Sequence, residues 1–221
     1  KLEEYCYKIN YEAAKLLKKI AVEYTENNPL KPRFVAGVIG PTNKTASISP
    51  DVSNPAVRNV TFDELYNAYK EAVEGLIDGG VDILLIETVF DTLNAKAALV
   101  AIEDVFETKN VHLPVMISAT IVDISGRTLS GQTVEAFAYT FKNENILSIG
   151  LNCSLGPEKM EQYIKRLSES TFYYVSAHPN AGLPNQFGEY DLSAVEMAEE
   201  IKNYLEKSLV NIVGGCCGTT P

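Results

Sequence analysis

Six short apolar runs, spaced along the chain with amphipathic segments between them, constrain this sequence more than any other feature. They lie at 34–39 (FVAGVI), 81–86 (VDILLI), 115–121 (VMISATI), 146–151 (ILSIGL), 172–177 (FYYVSA) and 209–213 (LVNIV). Each has the length of a strand and is apolar at nearly every position, as a strand buried on both faces must be. Helical periodicity appears near 62–78, 91–107, 132–142, 157–168 and 191–207. Thr61 opens TFDE and Ser193 opens SAVE, so both read as N-caps with an acid three residues on. An earlier helix is predicted where Leu2, Cys6, Ile9, Ala13, Leu16, Leu17 and Ile20 recur at steps of three and four. Strands alternating with helices predict an α/β fold with a parallel sheet.

Two architectures satisfy that pattern, a doubly wound sheet and a (β/α)8 TIM barrel. A dinucleotide-binding sheet carries G-x-G-x-x-G after a strand, and the sequence has no such motif. The chain opens on a helix with no strand before it and closes on a strand with no helix after it. Six strands are counted, where a barrel has eight in about 250 residues. The expectation is therefore a truncated (β/α)8 barrel, residues 1–221 forming one partial domain that lacks the first two strands and the last helix.

Charge narrows the partners. Lys and Arg total 19 against 29 Asp and Glu, a formal charge of −10. That balance argues against the cationic face that nucleic acid or an anionic membrane requires. No apolar run approaches the roughly 20 residues that span a bilayer, and the start does not resemble a signal peptide. Four cysteines, two of them adjacent, do not make the disulfide framework of a secreted protein, so a reduced, cytoplasmic setting is expected.

Sites in parallel α/β folds form at the carboxyl ends of the strands. Here those ends read GPTNKT (40–45), ETVFD (87–91), TIVDISG (120–126), NCSLGP (152–157), AHPNAG (177–182) and GGCCGTTP (214–221). Three of the four cysteines, Cys153, Cys216 and Cys217, sit at such ends. Adjacent side chains of a strand point to opposite faces, so Cys216 and Cys217 converge only if the backbone leaves strand geometry, which the flanking glycines permit. Three convergent thiolates with an open fourth position describe a zinc site. A vicinal Cys216–Cys217 disulfide or a redox dithiol is the rival reading, and burial as small hydrophobes is the plainer one. Cys6, on the first helical stripe, reads as such a hydrophobe.

Glu87 ends a buried run, where an acid needs a partner; a structural ion pair and a functional role are both open. Asn152 and Asn180 flank the same strand ends and also suit turns. His178, before Pro179, is either a ligand or a packing residue, and His112 is the other histidine. Asp123 and Arg127 suit a turn or the rim of a site.

Taken together, GLNCSLGPE, SAHPNAGLPN, GGCCGTTP, LLIETVFDTLNAKAAL and FVAGVIGPTNKTASISPDV resemble the homocysteine-binding module of cobalamin-dependent methionine synthase. The resemblance runs over essentially the whole chain. GGCCGTTP with an upstream NCS marks the wider homocysteine S-methyltransferase family, and GPTNKTASISPDV points within it to the cobalamin-dependent enzyme. The family's first-strand D-G-A-M-G-T and second-strand N-T-F segments have no counterpart in this sequence.

The resemblance implies a (β/α)8 barrel in which Cys153, Cys216 and Cys217 hold Zn²⁺ and homocysteine is the substrate. It implies that Glu87 holds the substrate amino group. By the same resemblance Asn180 is expected to contact the amino-acid end or the metal's open position, and Asn152 to sit beside the ligand. Methylcobalamin, carried on a separate module, is the implied methyl donor, and the cobalamin- and folate-binding modules of a parent chain are the implied partners. Coordination to Zn²⁺ deprotonates a thiol outright, so the homocysteine sulfur is expected to attack the methyl group as an electron-rich thiolate and give methionine. The alternatives are a methyltransferase that uses betaine or S-methylmethionine, and a non-catalytic metal-binding or thiol-redox domain.

Overall fold

The computed structural model describes residues 2–122 and 125–220. Asp123, considered above as a turn or rim residue, lies outside the described residues. A single 3-10 turn at Glu3–Tyr5 leads into α1 (Cys6–Asn27). Strand and helix then alternate: β1 (Ala36–Ile39), α2 (Phe62–Asp78), β2 (Ile83–Val89), α3 (Thr92–Lys109), β3 (Val115–Ala119) and α4 (Val134–Thr140). The series ends with β4 (Ser148–Asn152), α5 (Pro157–Ser170), β5 (Tyr174–His178), α6 (Ala194–Glu206) and β6 (Ile212–Val213). The strands are parallel and lie in the sheet in chain order, β1-β2-β3-β4-β5-β6. A doubly wound sheet reverses its order part-way; this one does not, which makes it the β/α-barrel arrangement expected from the sequence.

Both predicted capping boxes form. The Thr61 hydroxyl accepts from the Glu64 N–H at 3.2 Å while the Thr61 N–H donates to the Glu64 carboxylate at 2.8 Å. Ser193 and Glu196 repeat the exchange at 3.3 and 2.9 Å. Each pair satisfies two N–H groups that a helix start otherwise leaves without partners.

The chain divides into two compact units, residues 1–86 with 93–115, and residues 87–92 with 116–221. In the first, α1 and α2 pack together, and the Tyr7 hydroxyl donates to Asp78 at 2.9 Å, where Lys109 also pairs at 2.8 Å. The side of α1 that turns inward is not the predicted stripe. Its buried residues are Ala14 and Ala21, whereas Ile9, Leu16, Leu17 and Ile20 are all exposed. Cys6 is half-buried beside Asn10. The GPTNKTAS loop after β1 is held by Asn94, which accepts from the Ala46 N–H at 3.0 Å and donates to the Lys44 carbonyl at 2.9 Å.

In the second unit the strands present two different faces. Ile117, Ile149, Leu151, Val175 and Ala177 form one, all nearly or fully buried. The alternate positions begin with Met116 and Tyr174 and are then small or polar toward the strand ends: Ser118, Ser148, Gly150, Asn152, Ser176 and His178. Arg166 grips the Glu135 carboxylate with two hydrogen bonds of 2.7 and 2.9 Å, tying α5 to α4. Arg127 closes the loop after β3, donating to the Gly131 carbonyl at 2.7 Å, so it serves the turn.

Gly150 is fixed by close approach. A Cβ there falls 2.0 Å from the Ser176 hydroxyl oxygen and 2.3 Å from the Ser176 carbonyl oxygen. Gly150→Ala is expected to destabilise the fold by about 1–3 kcal/mol, the usual range for overpacking, read as a lower urea midpoint. Adding Ser176→Ala recovers little of that loss, because the carbonyl remains in the way.

Candidate metal centre

β4 carries the chain to Asn152, and the next two residues leave the strand abruptly. Cys153 and Ser154 adopt φ values of +61° and +66°, a left-handed conformation that costs a non-glycine residue of order 1–3 kcal/mol. The turn is held because the Cys153 N–H donates to the His178 carbonyl at 3.0 Å and the Leu155 N–H to the Cys153 carbonyl at 2.7 Å. β6 delivers the other two thiols. After Val213 the backbone is pinned by the loop following β5, with the Cys216 N–H on the Pro179 carbonyl at 2.8 Å. The Cys217 N–H donates to Asn180 Oδ1 at 3.1 Å, and the Cys217 carbonyl accepts from the Ala181 N–H at 2.9 Å.

These bonds turn adjacent cysteines toward a common point. Cys153 Sγ lies 3.4 Å from Cys217 Sγ, and the Cys216 and Cys217 sulfurs are 3.9 Å apart. All three sulfurs fall within 4.8 Å of one another, the one group of potential metal ligands so clustered among the described residues. The four cysteines are free thiols. A tetrahedral zinc with Zn–S bonds of about 2.3 Å sets its sulfurs about 3.8 Å apart, so the observed spacing and the soft donor set both suit zinc. Burial, and then the neighbouring Cys153 and Cys217, push the Cys216 thiol up to about 12. Burial likewise raises Cys153. A cation among the sulfurs would offset the cost that burial and proximity place on ionising Cys153 and Cys216.

Asn152 links this cluster to the end of β2. It is 2% exposed, and its Oδ1 accepts from the Thr88 N–H at 3.0 Å and the Ser118 hydroxyl at 2.8 Å. Its Nδ2 donates to the Thr88 hydroxyl at 2.9 Å and lies 4.0 Å from Cys216 Sγ. Thr88 is held at φ +56°, a strained setting for a β-branched residue. The residue before it, Glu87, is half-buried and has no ion-pair or hydrogen-bond partner among the described residues. Burial alone raises its carboxyl above the ordinary glutamate range.

The structural ion pair that would have explained Glu87 is therefore absent among the described residues. Asn180 is buried and its side chain serves the Cys217 backbone. His178 stands outside the sulfur group. Its ring packs on the backbone of Gly214, where a Cβ would meet it at 2.5 Å, and burial lowers its pKa. His112 packs edge-on against Phe106, 5.2 Å between ring centres. Sequence reasoning missed Thr88 and Ser118, the partners of Asn152. Thr88 adjoins Glu87, but nothing in a residue string announces its left-handed backbone.

The family model described as Homocysteine S-methyltransferase matches residues 1–221. The chain belongs to the homocysteine S-methyltransferase family, and so to the methyltransferases. Among solved structures it is similar to the homocysteine methyltransferase MmuM from Escherichia coli. The apo form superposes with a TM-score of 0.73 at 19% identity, over 99% of this chain and 71% of that one. The metallated form gives a TM-score of 0.72 at 20% identity, over 97% and 67%. At that identity the likeness speaks for the fold. No helix among the described residues is long and apolar enough to cross a membrane.

A raised carboxyl pKa has a definite sign. The folded chain holds the Glu87 proton more tightly than the unfolded chain does, so its contribution favours folding at acid pH and is lost as pH rises through the raised value. Glu87→Gln is expected to raise the melting temperature near neutral pH, with the gain shrinking as pH falls into the carboxyl range.

Proposed function

We propose that the chain is the homocysteine-binding, zinc-dependent methyl-transfer module of a methionine synthase, which methylates homocysteine to methionine. The observation that carries the reading is the convergence of three sulfurs from two strand ends, joined through Asn152 to a half-buried carboxylate without a partner among the described residues. Cys153, Cys216 and Cys217 are the residues that would hold Zn²⁺. When bound, the ion supplies a Lewis acid that keeps the homocysteine sulfur as a nucleophilic thiolate at neutral pH, where a free thiol of pKa near 8.5 is mostly protonated.

The remaining work falls to the chain itself. Glu87 offers an acceptor whose desolvation is best relieved by a cation, and the ammonium of an amino acid supplies one. Pairing there orients the substrate and leaves its thiol end free to reach the sulfur cluster. Asn152 acts through its neighbours, fixing Thr88 on one side and bordering Cys216 on the other. Asn180 acts through the backbone of Cys217. Methylcobalamin, carried by another module of a parent chain that also holds a folate-binding module, is the proposed donor. That choice rests on the resemblance carried by the GPTNKTASISPDV segment, whose Lys44 and Ala46 backbone groups bond to Asn94.

Replacing any one of Cys153, Cys216 or Cys217 by Ala is expected to abolish stoichiometric zinc, measured by metal analysis of the purified protein. Full retention of zinc by the triple variant refutes the site. Glu87→Gln is expected to raise the KM for homocysteine about tenfold, or about 1.4 kcal/mol, with zinc content unchanged. Assays of the parent protein with methylcobalamin, betaine and S-methylmethionine decide the donor, and turnover with either of the latter two alone overturns the cobalamin assignment.

A further inference from the structure

The side-chain amide of Asn152 is engaged at every hydrogen-bonding position an amide has, two acceptor sites on oxygen and two donors on nitrogen. Its Oδ1 accepts from the Thr88 N–H at 3.0 Å and from the Ser118 hydroxyl at 2.8 Å. Its Nδ2 donates to the Thr88 hydroxyl at 2.9 Å and toward Cys216 Sγ at 4.0 Å. The Thr88 N–H can only donate, so it fixes which end of the amide is oxygen. Thr88 is thus held twice by one group, at its backbone and at its side chain. Its φ of +56° is a conformation that a β-branched residue keeps only where its surroundings impose it. The two-point clamp imposes it.

The clamped N–H belongs to the peptide plane that Thr88 shares with Glu87, so the same amide fixes the main chain on which the Glu87 side chain stands. The nitrogen of that amide borders the sulfur cluster. Carboxylate and thiols are therefore both referred to a single buried group. A site with two anchors at a set spacing discriminates by the length of what joins them, and homocysteine is one methylene longer than cysteine between its ammonium-bearing carbon and its sulfur. We propose that Thr88 is a specificity-determining positioning residue: clamped by Asn152, it sets the Glu87 carboxylate at the distance from the sulfur cluster that suits homocysteine rather than cysteine. The inference rests on the reading given above, in which Glu87 takes the substrate ammonium and the three cysteines hold zinc.

The test compares zinc-loaded wild type, Thr88→Gly and Thr88→Ser by calorimetric titration with L-homocysteine, L-cysteine and 2-mercaptoethanol, a thiol without an amino-acid end. Glycine accepts positive φ without strain, so Thr88→Gly removes the hydroxyl half of the clamp and adds no steric conflict. Wild type is expected to prefer homocysteine to cysteine by about tenfold or more, the range over which one methylene is distinguished. Thr88→Gly is expected to bind homocysteine about tenfold more weakly and to lose that preference, with zinc content and affinity for 2-mercaptoethanol unchanged. Thr88→Ser, which keeps the hydroxyl, is expected to restore the preference. An undiminished preference in Thr88→Gly overturns the proposal and leaves the reading of the site standing. Equal losses for homocysteine and 2-mercaptoethanol also overturn it, because the effect then lies at the sulfurs and not in the spacing. A wild type that holds no zinc, or that binds homocysteine no better than 2-mercaptoethanol, refutes the reading of the site and the spacing role together.

Discussion

The site depends on backbone hydrogen bonds that make the end of β6 follow the loop after β5. The carbonyl of Pro179, the side chain of Asn180 and the N–H of Ala181 together fix Cys216 and Cys217. The carbonyl of His178 does the same for Cys153. One short stretch, 178–181, therefore sets the positions of all three sulfurs, although it contributes none of them. Cys153 and Cys216 are 63 residues apart in sequence (216 − 153), and closing so long a loop onto one point costs entropy that only the formed sheet offsets.

That arrangement explains how much of the molecule was legible beforehand. Strand and helix positions followed from apolar runs and periodicity. β3 and β4 are buried on both faces as their sequences suggest, whereas β1 alternates exposed and buried residues, so its apolar run marked a strand but not its burial. The caps at Thr61 and Ser193 were legible because a capping box is a local exchange between residues three apart. The sulfur cluster could be read from cysteines at strand ends once a parallel sheet was assumed. The inward side of α1 could not. Its apolar stripe points outward, and the helix instead buries Ala14 and Ala21; periodicity identifies a stripe without saying what covers it. Nor could the partners of Asn152 be read, since Thr88, Ser118 and Cys216 reach it from three separate strand ends.

Asn152 and Asn180 also show how site residues divide their labour. Both were expected near the substrate on the strength of the resemblance. Both are buried, and their side-chain bonds run to other protein groups. Glu87 differs in having a carboxylate that nothing in the described chain neutralises. Groups of the first kind hold a site in shape, and a group of the second kind gives an incoming cation something to gain.

The left-handed backbone at Cys153 and Ser154 bears on how such a centre acquires its ion. A zinc finger folds around its metal, so the binding energy is consumed in ordering the chain. Here the awkward turn is tied to the protein itself, through the Cys153 N–H on the His178 carbonyl and the Leu155 N–H on the Cys153 carbonyl, with no ion in those bonds. Metal uptake then requires little rearrangement of the main chain, so most of the affinity of the three sulfurs remains to be expressed as retention of the ion. A stripped protein of this kind should keep its shape and be recharged simply by adding the metal back.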